Sequence, residues 1–331
     1  MKHDLPRLAR TFLTSTITRV AGTGLGLFLL VHNIDLGAVA HRLGTADPRW
    51  AAIGVGLTAL AVVSSVMEWG FLLRCSASFS WARVGSVYLQ SIFFSQIVPA
   101  GVGGDAMRAV TIGRETGHGT VLASLAGSRM AGLLGMALWG MLGAILLRTV
   151  FGPVALVGAV LFASLICGSW VLALVAERVI RRVRVARRLE LRGHLRGLRM
   201  FTRTFAHYAR QPQRLLQSVV VGMTGWGINL FALHFFALAV GADVPWAVFA
   251  VAIPLTLVAT LTPFSINGVG MREGVLVGLL AHVGVHPSNA AALSVIVDLQ
   301  MVPFAVAGAM LWMRRRDLRT ATPRPSVPPE R

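Results

Sequence analysis

The amino-acid sequence predicts an all-α integral membrane protein, a polytopic helical bundle with about six spans and two re-entrant helical hairpins. Of the 331 residues, 55% are hydrophobic and only 13% are charged, whereas roughly 25% of the residues in an average soluble domain are charged. The mean hydropathy is +0.69. Long apolar segments recur along the chain, and two of them are interrupted by proline and glycine. This composition argues against a soluble enzyme and against a disordered chain.

Six apolar segments are each long enough to cross a membrane, because a spanning helix needs roughly 20 apolar residues. The predicted spans are residues 17–34, 51–73, 121–147, 152–176, 215–240 and 289–313. The first of them follows basic residues, as the apolar part of a signal peptide does. Polar Asn33 and Asp35 separate it from the small residues that a cleavage site needs. We therefore predict an uncleaved first span.

Two further apolar segments are too short or too interrupted to form regular spanning helices. Residues 84–98 lead into a glycine-rich loop, and residues 246–261 lead through 262–270 into a second apolar stretch, 271–283. Irregular backbone at membrane depth is tolerated only where protein or water satisfies its polar groups. We predict that each segment forms a re-entrant hairpin that lines a cavity.

The basic residues predict the orientation. Lys2 is the only lysine, so 30 of the 31 basic residues are arginine. With a cytoplasmic N-terminus and two hairpins, 25 of the 31 lie in four cytoplasmic segments, 1–16, 74–118, 177–214 and 314–331. This asymmetry predicts a multi-pass protein of a bacterial-type inner (cytoplasmic) membrane with both termini in the cytoplasm. Two full spans in place of the hairpins would also keep the most basic loop and the C-terminus cytoplasmic, so that alternative stays open.

Residues 1–313 are predicted to form a single transmembrane domain. Its basic loop, 177–214, has arginines at steps of three and four residues, a pattern typical of an amphipathic helix on the inner leaflet. RNA binding is the alternative, but no aromatic stacking pattern accompanies the charge, so no nucleic-acid partner is expected. The basic, proline-rich tail, 314–331, is predicted to be disordered. The expected partners are membrane lipids with anionic heads.

A short motif recurs in the two halves of the chain at one constant spacing. The matched residues are Pro99 with Pro263, Gly104 with Gly268, Met107 with Met271, and Arg108 with Arg272. Each half of the domain, 17–147 and 152–313, has the order span, span, hairpin, span. Because the second half begins on the opposite side of the membrane, we predict an inverted-topology repeat, which many transporters use to build a site near the midplane. A duplication retained for packing alone is the alternative.

The hairpin motifs have the chemistry of an anion site. Residues 105–114 and 271–283 are predicted helices, and a helix N-terminus presents free N–H groups and about half a positive charge. Each matched arginine adds a full positive charge within the first turns of its helix, and its planar guanidinium group fits a phosphate. The alternative is that Asp105 caps its helix and that Arg272 pairs with Glu273 or Asp298 to stabilise the fold. The candidate residues for a lipid head group are Gly103, Gly104, Asp105, Arg108, Arg129, Asn267, Gly268, Gly270, Arg272 and Glu273.

Two carboxylates inside apolar segments, Glu68 and Asp298, are predicted either to couple protons or to form structural ion pairs. The expected partners are Arg74 for Glu68 and Arg272 for Asp298. The sequence has no HExxH, P-loop or GxSxG motif, so no catalytic residue, metal or cofactor is expected.

At the hairpins the sequence resembles the flippase-like transmembrane domain of lysylphosphatidylglycerol synthases, a family with many stand-alone members. The resemblance rests on residues 95–105 with Arg108, on Ser128-Arg129 and on 262–274. It implies translocation of aminoacylated or other polar lipids, and the family also includes proteins linked to polyprenyl-phosphate sugars and hopanoid biosynthesis. Only 18 residues follow Met313, so the soluble aminoacyl-transferase domain of the bifunctional members is expected to be absent.

The residues and the resemblance together predict a lipid flippase or transporter. Its cargo would be an anionic or aminoacylated phospholipid, or a lipid-linked head group, that crosses between the leaflets of the inner membrane. One alternative is a membrane-embedded lipid-modifying transferase that uses Arg129 and a carboxylate. The other is an accessory subunit that works with a partner enzyme of lipid biosynthesis.

Overall fold

The computed structural model describes residues 36–75, 77–97, 103–182, 212–260 and 270–321. The regular structure of these residues is helical, and no strand occurs among them. The first predicted span, most of the basic loop and the end of the tail lie outside the described residues. The first part of the tail, 314–321, was predicted to be disordered but continues the last helix. The helices are α1 (Leu36–Gly44), α2 (Pro48–Leu73), α3 (Trp81–Ile97), α4 (Gly103–Thr116), α5 (His118–Leu146), α6 (Arg148–Arg182), α7 (Pro212–Ala239), α8 (Trp246–Thr260), α9 (Met271–His282), α10 (Pro287–Leu299) and α11 (Val302–Ala321).

Four stretches of the described chain are long and apolar enough to cross a membrane, namely α2, α5, α7 and the pair α10–α11. They coincide with four of the six predicted spans. The predicted span 152–176 lies within α6, where the described apolar helix, Ala155–Gly168, is shorter. Large apolar side chains are exposed along α2, including Ile53, Leu60 and Val63, as lipid-facing positions are expected to be.

The last predicted span, 289–313, lies within one stretch of spanning length, Pro287–Arg314, but this stretch contains a break that the sequence did not predict. α10 ends at Leu299, and α11 begins at Val302. Pro303 is the second residue of α11, and it has no N–H to donate to the carbonyl of Leu299 four residues earlier. At the break, the hydroxyl of Thr58 on α2 donates to Gln300 Oε1 at 3.0 Å, so the interruption is tied to a neighbouring span.

The helices α2 and α7 pack against each other more extensively than any other described pair. Small residues make the contact close. A Cβ added to Gly54 would lie 2.6 Å from the ring of Phe236, and one added to Gly225 would lie 2.9 Å from Ser64. Two further contacts join helices that are distant in sequence, α3 with α11 and α5 with α8.

Each predicted hairpin segment contains two short helices that pack on each other, α3 with α4 and α8 with α9. The second helix of each pair then packs on the helix that follows it, α4 on α5 and α9 on α10. The shift along the chain that superimposes Arg108 on Arg272 also carries α2, α3 and α4 approximately onto α7, α8 and α9. The order of elements therefore recurs in the two parts of the chain.

Buried apolar side chains form two separate clusters. The larger one draws mainly on α7 to α10 and includes Phe236, Phe249 and Leu280. The smaller one joins α2, α3, α4 and α5 around Trp69 and Ile112. Each hairpin segment therefore packs against its own cluster of buried apolar side chains, and that cluster positions the polar residues of the segment.

Candidate lipid head-group site

Gly104 lies directly against α3. A Cβ added to Gly104 would lie 2.7 Å from the backbone oxygen of Ser91, so only glycine lets α4 begin this close to its neighbour. Gly103 is buried beside it. This contact sets the position of the first turns of α4, which carry Asp105 and Arg108.

Arg108 lies against two aromatic rings. Its guanidinium carbon is 5.1 Å from the ring centroid of Trp69 on α2 and 5.0 Å from that of Tyr88 on α3. Cation–π attraction to both rings holds the guanidinium in place. The side chain is only 14% exposed, and Nε is buried without a hydrogen-bond partner in the described part of the chain. Such a donor is suited to an oxygen ligand, because a buried N–H normally has an acceptor.

Asp105 bridges Arg108 and Arg129. Arg108 Nη2 donates to Oδ1 of Asp105 at 2.8 Å, and Arg129 Nε donates to Oδ2 at 2.7 Å. Asp105 lies within the first turn of α4, and both of its carboxylate oxygens accept hydrogen bonds from arginines. Two guanidinium groups share one carboxylate, so these three side chains carry one net positive charge. Arg129 is 60% exposed, which leaves part of its donor fork accessible.

Glu68 lies on α2 beside this cluster. Its carboxylate is buried, accepts a hydrogen bond from Ser128 Oγ at 3.0 Å and is attracted electrostatically by Arg108. The prediction that Glu68 pairs with Arg74 is wrong, because the guanidinium carbon of Arg74 lies 4.7 Å from the ring centroid of Trp81 instead. Residues six apart point to different faces of a helix, which explains the difference.

The second hairpin segment begins its helix at Gly270. This residue has a φ of 84°, in the left-handed region that disfavours a side chain. The carboxylate of Glu273 turns back and accepts a hydrogen bond from the backbone N–H of Gly270 at 2.6 Å. The first turn of α9 therefore already has an anion of the protein at its N-terminus. The predicted loop residues Asn267 and Gly268 lie outside the described residues.

Arg272 pairs with two carboxylates. Its Nη2 donates to Glu273 Oε1 at 3.1 Å and also to Asp298 near the end of α10. The structure thus contains the predicted pair of Arg272 with Asp298, and these side chains are 39% and 40% exposed. One guanidinium group serves two carboxylates, so this second cluster carries one net negative charge.

Sequence reasoning did not include Trp69 and Tyr88 in the candidate site. Two signals were present, since Trp69 follows the buried Glu68 and Tyr88 is one of only two tyrosines in the chain. Neither signal connects these residues to Arg108, which lies on a different helix. Over the described residues, no group of three or more His, Cys, Asp or Glu side chains is placed to hold a metal ion.

Comparison with known proteins agrees with the helical membrane architecture. The family model described as the lysylphosphatidylglycerol synthase TM region matches residues 16–308. A UPF0104 membrane protein of Pyrococcus horikoshii is 20% identical over 300 residues, which cover 82% of this chain and 89% of that protein. A UPF0104 membrane protein of Methanothermobacter thermautotrophicus is 23% identical over 299 residues, with 82% and 84% covered.

A second UPF0104 membrane protein of Methanothermobacter thermautotrophicus is 21% identical over 309 residues, which cover 84% of this chain and 88% of that protein. The relatives therefore span nearly the whole transmembrane part, and they are membrane proteins by name. With its apolar helices and a family match over most of its length, the chain belongs to the lysylphosphatidylglycerol synthase TM region family as a multi-pass membrane protein.

Proposed function

We propose that this protein moves an anionic or aminoacylated phospholipid, or a lipid-linked head group, between the leaflets of the inner membrane. The observation that carries the proposal is the cluster of Arg108, Asp105 and Arg129. It has one net positive charge and a buried guanidinium N–H without a protein acceptor in the described chain. Membership of a family described by a lipid synthase agrees with a lipid cargo.

The chemistry of the cluster fits a phosphate. An ionised phosphate enters an apolar bundle only if charge and hydrogen bonds replace its water. The more exposed Arg129 makes the first contact, and the Nε of Arg108 completes the site from the aromatic side. Hydrogen bonds to charged groups contribute about 1.5–3 kcal/mol each, enough to favour a phosphate over a neutral head group.

An inverted repeat would let the head group be reached from each side in turn. The packing supports this arrangement. Under the shift that superimposes the two motifs, α3 corresponds to α8 and α5 corresponds to the pair α10–α11. The contact of α3 with α11 is then equivalent to the contact of α8 with α5. A two-fold axis that relates the two halves requires this equivalence. In this proposal both termini lie in the cytoplasm.

The matched residues Met107 and Met271 test the inversion. Each is changed to cysteine in a chain whose Cys75 and Cys167 are replaced by serine, and an impermeant maleimide is applied to either side of oriented vesicles. We expect the two cysteines to be labelled preferentially from opposite faces. Labelling of both from the same face would contradict the inverted repeat.

Translocation is tested in proteoliposomes with a leaflet-resolved assay of fluorescent phosphatidylglycerol. Arg108→Ala and Arg129→Ala are expected to slow translocation, each by about tenfold or more, because each loses a charged hydrogen bond of roughly 1.5–3 kcal/mol. Arg83→Ala is the matched control, since Arg83 pairs with Glu115 away from Asp105. Wild-type rates in both test variants would refute the proposal. A chemically altered lipid in the same vesicles would favour the transferase instead.

A further inference from the structure

Glu68 and Glu273 are the buried acidic residues of the described bundle, and of the two only Glu273 has an arginine within salt-bridge distance there. Glu68 lies on α2 where that helix meets α5 and α7, and the residue is only 7% exposed. A Cβ added to Gly132 on α5 would lie 3.4 Å from Glu68 Oε1, and one added to Gly222 on α7 would lie 3.0 Å from Oε2. Two glycines therefore leave the space that the carboxylate fills.

The hydrogen bonding around Glu68 suits both protonation states. The hydroxyl of Ser128 donates to Oε1 at 3.0 Å, and a serine hydroxyl can rotate to accept from a protonated carboxyl group. A charged carboxylate buried between apolar helices is costly, whereas a neutral carboxyl group is tolerated. Ser128 can therefore hydrogen-bond to either form of the Glu68 side chain.

The helices around Glu68 contribute Tyr88 from α3, Asp105 and Arg108 from α4, Arg129 from α5, and Arg214 from α7. Arg108 attracts the Glu68 carboxylate electrostatically. The same guanidinium lies over the ring of Trp69, the residue next to Glu68, and Ser128 is the residue next to Arg129. Glu68 therefore lies near Arg108, and its hydrogen bond with Ser128 joins it to the turn of α5 that carries Arg129.

Asp298, the other carboxylate in an apolar segment, is placed differently. It is paired directly with Arg272 and is 40% exposed. The geometry therefore separates the two acids into a buried one without a direct arginine partner in the described bundle and a partly exposed one held in a salt bridge.

We propose that Glu68 is a proton-binding site coupled to the head-group site, so that the protein takes up a proton together with the anionic head group and carries both across. The inference rests on the proposed function. When a phosphate binds Arg108, it competes with Glu68 for the same positive charge. The Glu68 carboxylate then gains a proton from water on the side from which the head group enters. By linkage, protonation of Glu68 in turn strengthens binding of the phosphate.

The sign of the pH dependence follows from this coupling. Protonated Glu68 leaves the charge of Arg108 free, so binding is strongest at low pH and weakens as the pH rises through the titration of Glu68. A single linked proton changes the affinity by at most about tenfold per pH unit.

Proton uptake on binding tests the proposal. The purified full-length protein in a weakly buffered detergent solution is titrated with dioctanoyl phosphatidylglycerol, and a pH indicator records the protons taken up. We expect uptake by the wild-type protein and a dissociation constant that rises with pH. Glu68→Gln, which keeps an acceptor for Ser128, is expected to bind without uptake and with no pH dependence. Glu115→Gln, on the hairpin surface, is expected to behave as the wild type.

The outcomes are distinct. Binding by the wild type with no proton uptake overturns the coupling and leaves the proposed carrier standing. No binding by the wild type overturns both. Equal uptake in the wild type and in Glu68→Gln assigns the proton to another group and also overturns the proposal. The same titration is repeated with inorganic phosphate in place of the lipid. Proton uptake with phosphate but not with the lipid would show that the site binds a soluble anion, which would contradict the proposal.

Discussion

The two hairpin segments carry the same motif with opposite charge. In the first, Arg108 and Arg129 share Asp105, whereas in the second, Arg272 is shared by Glu273 and Asp298. The arginine is repeated between the two segments, but its partners are not. Under the shift that aligns Arg108 with Arg272, the positions equivalent to Arg129, Glu273 and Asp298 are occupied by Leu293, Ala109 and Leu134.

This difference shows that a repeated motif does not imply repeated ion pairs. An anion can bind the first cluster without breaking a salt bridge, because Asp105, Arg108 and Arg129 together carry one net positive charge. At the second cluster an anion must displace a carboxylate that is already bound, and it also meets Glu273 at the N-terminus of α9. We therefore expect the first hairpin segment to dominate head-group binding and the second to stabilise the bundle.

The largest expected effect is on translocation by the two arginine variants. Arg108→Ala is expected to slow translocation by about 10- to 100-fold, because it removes a charged hydrogen bond of about 1.5–3 kcal/mol from the phosphate. Arg272→Ala is expected to slow it by less than about tenfold. The leaflet-resolved assay checks this, with the elution volume of each variant as the control for folding. Equal losses in the two variants would contradict the distinction drawn between the hairpins.

A smaller effect is expected on the stability of the two hairpins. Gly104→Ala places a methyl group against the backbone of Ser91, and such overpacking costs about 1–3 kcal/mol. Gly274→Ala on α9 meets no atom within 4 Å, and alanine in a helix interior is favoured over glycine by about 0.5–1 kcal/mol. Thermal unfolding in detergent is therefore expected to show a lower midpoint for the first variant and a higher one for the second. A lowered midpoint in both would show that α9 is as tightly packed as α4.

The smallest expected effect comes from Asp298→Asn. Both members of its pair with Arg272 are about 40% exposed, and ion pairs of this kind contribute about 0–1 kcal/mol. Glu273 also remains to compensate Arg272. We expect a small loss of thermal stability in low salt that shrinks as the salt concentration rises. A loss of several kcal/mol would indicate that the second cluster is desolvated in the membrane.

Much of the architecture was predictable from local patterns. Apolar length identified four helical stretches of spanning length, and the interrupted segments contain the short helices α3, α4, α8 and α9. The break between α10 and α11 was missed because only Gln300 and Met301 separate two apolar stretches, while the missing N–H of Pro303 interrupts the hydrogen-bond ladder. Hydropathy does not register the loss of one backbone donor.

The charged residues of the candidate site were predictable from the sequence, but their pairing and the two aromatic rings beside Arg108 were not. The spacing of the motif identified Arg108 and Arg272, and Asp298 was correctly matched to Arg272. Glu68 was matched to the wrong arginine, and the bridging by Asp105 was not foreseen. The contacts of Glu68 with Ser128 and of Asp105 with Arg129 join different helices, and nothing in the local pattern encodes the rotation of one helix against another.

The sequence by itself determined that this chain is a helical membrane protein of one family, with an arginine repeated in two interrupted segments. The length of an apolar segment and the identity of the motif residues can be read directly from the sequence. The tertiary structure alone decided which charges meet. Side-chain packing between α2, α4 and α5 brings two arginines to one aspartate, and packing between α9 and α10 brings two carboxylates to one arginine. The sign of each cluster is thus a property of helix packing, since it depends on which neighbouring face each motif contacts.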